Sequence, residues 1–120
     1  MTEKRQSLGR WGEAAAADFL RRLGMKIVER NYRTPVGEID IIGRQGRHLV
    51  FVEVKTRTSN RFGTPQEAVG PRKQRQILRT AQWYLSGGRG AGLQPRFDVV
   101  AVRPGPDGPL IDHIPDAFGA

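Results

Sequence analysis

Gly37-Glu38-Ile39-Asp40-Ile41-Ile42 and Val50-Phe51-Val52-Glu53-Val54-Lys55-Thr56-Arg57 are two runs in which apolar and polar residues alternate. Alternation with a period of two is the signature of a strand with one buried face. The interval Gly43-Arg44-Gln45-Gly46-Arg47-His48 is short and punctuated by glycine, so the whole reads as a β-hairpin. With Gly46 and Arg47 as the two loop residues, Gln45 pairs with His48. Glycine in the first loop position suits a type II′ turn. Counting back along each strand, Asp40 then faces Glu53 and Glu38 faces Lys55. Directly opposed residues have Cβ atoms about 5 Å apart. Two carboxylates at that distance repel unless something cationic lies between them, and a hard divalent ion with oxygen ligands fits there. A four-residue loop from Arg44 to Arg47 keeps the same faces but offsets Asp40 from Glu53 by two residues. A one-residue slip would send the two carboxylates to opposite faces.

A Glu-x-Lys tripeptide is weak by itself. In a chain with six Glu and four Lys among 120 residues it arises by chance with a probability of roughly 0.2. The bland alternative is a solvated strand face. Context argues against it, because Val50, Phe51, Val52 and Val54 around the tripeptide read as core. The chain also uses sixteen Arg against four Lys, yet places Lys at position 55. A compact ammonium acts as a point charge or gives up its proton, which a guanidinium does not readily do.

At 120 residues the chain is a single domain, residues 1–120, with apolar content of 38% to build a modest core. It has no cysteine, which excludes a disulfide framework and thiolate zinc sites and fits a reducing cytoplasm. The start Met1-Thr2-Glu3-Lys4-Arg5-Gln6 leads into no apolar h-region, so no signal peptide is expected, and no run is long enough to span a membrane. A formal net charge of +8 points to polyanionic partners, nucleic acid first.

Residues 1–6 are expected to be mobile. Ser7 is placed as an N-cap and Gly24 as the C′ residue of a first helix. Leu8, Trp11, Ala15, Phe19 and Leu23 form its core stripe. Glu13 lies at the edge of that stripe beside Gly9, Ala16 and Ala17. It reads equally as an exposed helix carboxylate or as one with room to approach another element or a ligand. Met25 to Tyr32 is a first strand, and Pro35 interrupts the ladder before the hairpin. Thr58 to Gly63 is a polar loop flanked by Arg57 and Arg61, able to face DNA.

Thr64-Pro65-Gln66-Glu67 has the form of a capping box with proline at the first helical position. Pro71 starts a further helix to about Ser86, with Ile77, Leu78, Ala81, Tyr84 and Leu85 as its apolar stripe. Arg72, Arg75 and Arg79 share its opposite side and Lys73 stands in its first turn. Such a stripe near a helix N-terminus can hold phosphate by charge and dipole, although a solvated face is its commonest fate. Gly87 to Gly92 is a flexible loop. Arg96 to Val102 reads as a central strand buried on both faces, with Phe97, Val99 and Ala101 on one and Val100 and Val102 on the other. Asp98 is expected to pair with a nearby Arg. Leu110 to Ile114 forms a last edge strand, where His113 is an edge polar residue.

An Asp, a hairpin and a Glu-x-Lys resemble the active-site pattern of the PD-(D/E)XK nucleases, whose fold is restriction-endonuclease-like. Gly-x-x-Gly-Glu (Gly9 to Glu13), Gly-Glu-Ile-Asp, Phe-Val-Glu-Val-Lys and Phe-Gly-Thr-Pro, in that order, look like the YraN family of small bacterial proteins. That family is grouped with Holliday junction resolvases of the archaeal type. The resemblance covers nearly the whole chain.

It implies an α/β fold with a mixed sheet of about four or five strands flanked by helices, which the alternation of helix and strand also favours. It implies a metal-dependent endonuclease that hydrolyses phosphodiesters, with DNA favoured over RNA and branched recombination or repair intermediates as substrates. Asp40 and Glu53 would bind Mg²⁺ or Mn²⁺ with the Val54 carbonyl, and Glu13 would complete or orient that shell. Lys55 would orient the attacking water or stabilise charge on the phosphate. Arg57, Arg61, Arg72, Lys73, Arg75 and Arg79 would contact the nucleic acid. Folds of this kind often form homodimers on substrates with two scissile strands. The alternative is a nucleic-acid-binding protein that keeps the fold without cleavage.

Overall fold

The computed structural model describes residues 3–58 and 69–119. Its elements run α1 (Glu3–Arg22), β1 (Lys26–Thr34), β2 (Gly37–Gln45), β3 (His48–Thr56), α2 (Pro71–Ser86), β4 (Gln94–Gly105) and β5 (Gly108–Phe118). The five strands form one sheet in chain order. β3 and β4 are parallel, joined by the crossover that contains α2, and the other neighbours are antiparallel. This is a mixed α/β fold compatible with a restriction-endonuclease-like core. Among the described residues, no helix is long and apolar enough to cross a membrane.

The hairpin forms as its turn chemistry dictates. Gln45 pairs with His48, and the register runs back to Ile41 opposite Val52. Gly46 takes φ +59 while Arg47 stays out of the left-handed region, the pattern of a type II′ turn. The β1–β2 turn is held by Thr34, whose hydroxyl accepts the N–H groups of Val36 and Gly37 and donates to the Gly37 carbonyl. β1 therefore extends past Tyr32 to Thr34.

Two layers of core sandwich the sheet. On the α2 side Phe51, Phe97 and Val99 meet Ile77, Ala81 and Tyr84. On the α1 side Val50, Val52, Val100 and Val102 meet Ala16, Ala17 and Leu20. The alternation expected for β4 holds, with Phe97 and Val99 on one side and Val100 and Val102 on the other. α2 starts at Pro71 and ends at Ser86 as its sequence signals require.

α1 departs from the sequence reading twice. It begins at Glu3, so residues 3–6 are helical and Ser7 is an interior residue whose hydroxyl accepts from Arg10. Good helix formers at positions 3 to 6 carry the helix past the expected cap. Its buried residues are Gly12, Ala16, Ala17 and Leu20, whereas Trp11 is 37% exposed and Leu23 49%. The small residues let α1 lie close on the sheet, and the bulky ones expected in its core stripe are displaced to the rim. A Cβ at Gly12 would strike the Thr56 side chain, with 2.8 Å to its Cγ2.

β2 turns over at Asp40. Ile39 packs in the α2-side layer and Ile41 in the α1-side layer, although residues two apart in a regular strand share a face. On β1, Arg30 pairs with Ile41 and Tyr32 with Ile39, while the intervening Asn31 sits at φ +53. This twist sets the position of Asp40 where β2 and β3 part.

Candidate active site

Asp40 stands one residue beyond the last β2–β3 pair, Ile41 with Val52. By the alternation of an antiparallel ladder, the Val54 N–H points toward β2. The Asp40 carboxylate takes it, Val54 N donating to Oδ2 at 2.8 Å. The side chain thus replaces a main-chain acceptor and is fixed by it. Glu53, the residue before, is almost wholly buried at 6% exposure. Its Oε1 lies 3.5 Å from Lys55 Nζ and 3.7 Å from Lys73 Nζ.

Burial pushes the Glu53 carboxyl up to about 7, the nearby Asp40 charge adds to the rise, and the two lysines oppose it. Asp40 is also raised, by burial first, against the lowering effect of its Val54 hydrogen bond. The two carboxylates therefore disfavour each other's ionised form, as like charges in a poorly solvated place must.

Glu13 approaches from α1. Its carboxyl is raised by burial and then by Asp40, while Arg30 at 3.6 Å pulls it down. Its Oε1 is buried and, among the described residues, meets the Arg30 guanidinium only at ion-pair distance. Asp40 is thus felt by Glu53 on one side and Glu13 on the other. Among the described residues, no three acidic, His or Cys side chains are arranged to hold one ion together. A buried carboxylate, a half-buried one and a third carboxylate oxygen nearby are hard oxygen donors, which suit a divalent cation such as Mg²⁺ or Mn²⁺ better than a softer metal.

Basic clefts adjoin this centre. One, of about 680 Å³, is lined by Arg72, Lys73, Arg75, Gln76 and Arg79 of α2 with Val36 and the Gly70-Pro71 entry. Another, of about 1160 Å³, is lined by Arg5, Arg10 and Glu13 of α1, Arg30, Arg33 and Glu38 of β1 and β2, and Val54. A smaller cleft over the Thr34–Gly37 turn shares Arg33 and Glu38 with the second and Val36, Lys73 and Gln76 with the first. The three make one trough across the end of the sheet, with Glu13 and Val54 in its wall. At the head of α2 the N-cap residue is Gly70, which has no side chain to cap the first turn, and the Arg72 and Lys73 N–H groups have no intrahelical partners.

The model of the uncharacterised protein family UPF0102 matches residues 12–102, which include the carboxylates, both site lysines and all of α2. The chain belongs to UPF0102. A UPF0102 protein of Syntrophotalea carbinolica is 63% identical over 118 residues, covering 98% of this chain and 96% of its own length. One of Moorella thermoacetica is 56% identical over 103 residues, covering 85% of each chain. One of Desulfosudis oleivorans is 49% identical over 120 residues, covering all of this chain and 96% of its own. The YraN-like order of motifs thus leads to the family that the comparison finds.

In this UPF0102 protein, Asp40, Glu53, Val54 and Lys55 come together near the end of the hairpin ladder, and Glu13 on α1 is near enough to feel the charge of Asp40. Arg72, Arg75 and Arg79 line one cleft together. Arg57 extends the β3–β4 pairing through its N–H to the Val102 carbonyl. Arg61 and the capping box at 64–67 lie outside the described residues. Glu38, expected opposite Lys55, instead pairs with Arg33 at 3.4 Å, because β2 has left β3 by that point. Asp98 takes Arg96 as expected, and also His113 Nε2 at 2.8 Å and the Asp116 N–H, which together hold it ionised.

Two features were missed from sequence. Lys73, read as a phosphate contact, stands on Glu53 itself. No local pattern carries that contact, which depends on the crossover that packs α2 beside the sheet. The basic residues of α1 and β1, Arg5, Arg10, Arg30 and Arg33, were not singled out. Each looks like a solvated charge until the two elements are folded against each other.

Proposed function

We propose that this protein is a metal-dependent endonuclease acting on nucleic acid, DNA before RNA, by phosphodiester hydrolysis. The observation that carries the reading is the pair Asp40 and Glu53: a half-buried and a buried carboxylate from adjacent strands, held near each other against their mutual repulsion at the junction of basic clefts. Carboxylates raised together by burial and a like charge, beside a cleft, are a reason to read a functional site here.

Asp40, fixed by the Val54 N–H, and Glu53 would supply the oxygen donors for Mg²⁺ or Mn²⁺. Glu13 adds an outer oxygen beside Asp40. The bound ion would polarise a phosphoryl oxygen and lower the pKa of water. Lys55 orients the attacking water and offsets negative charge on the phosphate. Lys73 contributes a second ammonium at the same carboxylate. Arginines on both sides hold the backbone of the strand in register.

A second reading is favoured by one observation. Lys55 and Lys73 already pair with Glu53 without any ion, as they would in a protein that binds nucleic acid and does not cut it. Purified protein with Mn²⁺, tested on branched, single-stranded and duplex DNA and RNA, separates the two. The nuclease reading expects cleavage that is lost in Asp40→Asn, Glu53→Gln and Lys55→Ala. It also expects Mn²⁺ to raise the Tm of the parent protein by an amount that grows with its concentration and to do little for Asp40→Asn. Equal Tm responses in both proteins and no cleavage of any substrate would leave binding without catalysis.

A further inference from the structure

Trp83 stands on α2 with 49% of its surface exposed. Its neighbours in sequence, Ala81 and Tyr84, are buried, so the indole is turned away from the core. At 100° per residue, Arg72, Arg79 and Trp83 fall within about 40° of one another around the helix, with Arg75 on their flank. An exposed indole at the end of a stripe of guanidinium groups is a different object from an isolated surface apolar residue.

Distance ties the stripe to the candidate active site. Lys73, in the first turn, has its Nζ 3.7 Å from Glu53 Oε1. A rise of 1.5 Å per residue puts Trp83 about 15 Å further along the helix axis. A stacked strand carries a phosphate every ~3.4 Å and a stretched one fewer over the same length, so the span covers up to about four phosphates. Between the two ends stand Arg75 and Arg79, which line the same cleft as Lys73. A polynucleotide strand can therefore meet cations along this path and an aromatic ring at its end.

We propose that Trp83 is a base-stacking residue for an unpaired nucleotide, and that Arg72, Arg75 and Arg79 hold the phosphates leading from it to the carboxylates. This rests on the nucleic-acid reading above and names its substrate class as a strand with unpaired bases: single-stranded DNA, or the unpaired arm of a branched one. In a duplex the base faces are covered by their own neighbours. A ring standing on a convex helix surface has nothing there to stack on. In a single strand every base offers a free face, and stacking on an aromatic side chain tolerates any sequence. Charge complementarity selects this occupant over a protein partner, because the ring is continuous with cations rather than with apolar surface.

The chain has two tryptophans, Trp11 and Trp83. Trp11→Phe leaves Trp83 as the only indole. Fluorescence titration of that protein in EDTA, with an oligo-dT strand and with a blunt duplex, reads the contact directly. The strand should quench the indole and the duplex should not. Trp83→Ala should lose about 5-fold or more in affinity for the strand and keep its affinity for the duplex, and Trp83→Phe should retain most of the strand affinity. Salt-dependent binding of the strand without quenching, and unaltered by Trp83→Ala, overturns the stacking role while leaving the nucleic-acid reading standing. Equal losses on strand and duplex overturn it as well. A Trp83→Ala protein that changes only from dimer to monomer assigns the ring to a contact between copies instead. No binding of either nucleic acid removes both readings.

Discussion

Glu53 carries the sharpest consequence at the scale of a single residue. Its carboxyl is raised from an ordinary 4.5 to about 7, by burial first and Asp40 second. The folded protein therefore holds this proton more tightly than the unfolded chain does. The stability this contributes is complete below about 4.5 and is lost as pH rises through about 7. Stability in EDTA should fall across that window, with a slope of at most about 1.4 kcal/mol per pH unit for each proton. Urea unfolding at a series of pH values checks it. Glu53→Gln should flatten the profile, and a Glu53→Gln profile that matches the parent would assign the dependence elsewhere. Asp40→Asn removes the repelling charge while keeping an oxygen for the Val54 N–H, so at neutral pH without metal its stability should equal or exceed that of the parent. Asp98 behaves oppositely. Its carboxyl is held below its ordinary value by His113, Arg96 and the Asp116 N–H, so Asp98 is a stabilising anion rather than a second candidate centre.

The elements explain how these residues are delivered. α1 lies near enough to β3 for Gly12 to touch Thr56, and this approach brings the adjacent Glu13 toward Asp40. Alanine is the better helix former by about 1 kcal/mol, so Gly12→Ala should stabilise an isolated α1. In the folded protein it should instead destabilise by about 1–3 kcal/mol, because the added methyl overpacks the contact with Thr56. Urea midpoints decide the sign, and Thr56→Ala in the same chain should recover part of the loss. Gly37 plays a similar part on the other face: at φ +154 a Cβ there would come within 2.7 Å of Thr80 Oγ1 on α2. The helix stripes were legible to different degrees. That of α2 was read closely because its buried face is aliphatic and aromatic. That of α1 was misplaced because its buried face is glycine and alanine, which a hydrophobic pattern underweights.

At the scale of the molecule, the net charge of +8 is not spread evenly. One cluster lies on α2 and the other on α1 and β1, with the carboxylates between them. A strand that crosses the site should engage both. Binding should weaken steeply with salt, and each lost phosphate contact on duplex DNA should reduce the slope of log K against log salt by about 0.9. Arg75→Ala on α2 and Arg10→Ala on α1 should each lower the slope, and their effects should add. A slope that responds to one and not to the other would confine the nucleic acid to that side of the carboxylates.

The sequence alone determined what short-range physics controls. Gly46-Arg47 set the hairpin turn, and the turn set the register that brings Asp40 to the neighbourhood of Glu53 without any knowledge of the rest of the chain. Pro71 and the aliphatic stripe set α2, and composition set the charge. Only the tertiary structure decided what depends on elements meeting. It turned β2 over at Asp40, so that this carboxylate took the Val54 N–H and Glu38 went to Arg33 instead of Lys55. It carried Lys73 to Glu53 through the parallel crossover, and it joined the arginines of α1 and β1 into a second basic cleft. A sequence pattern encodes which side of its own element a residue occupies. The distance between two elements is set by the packing of every side chain between them, and in this protein Gly12, Ala16 and Ala17 settle it by being small.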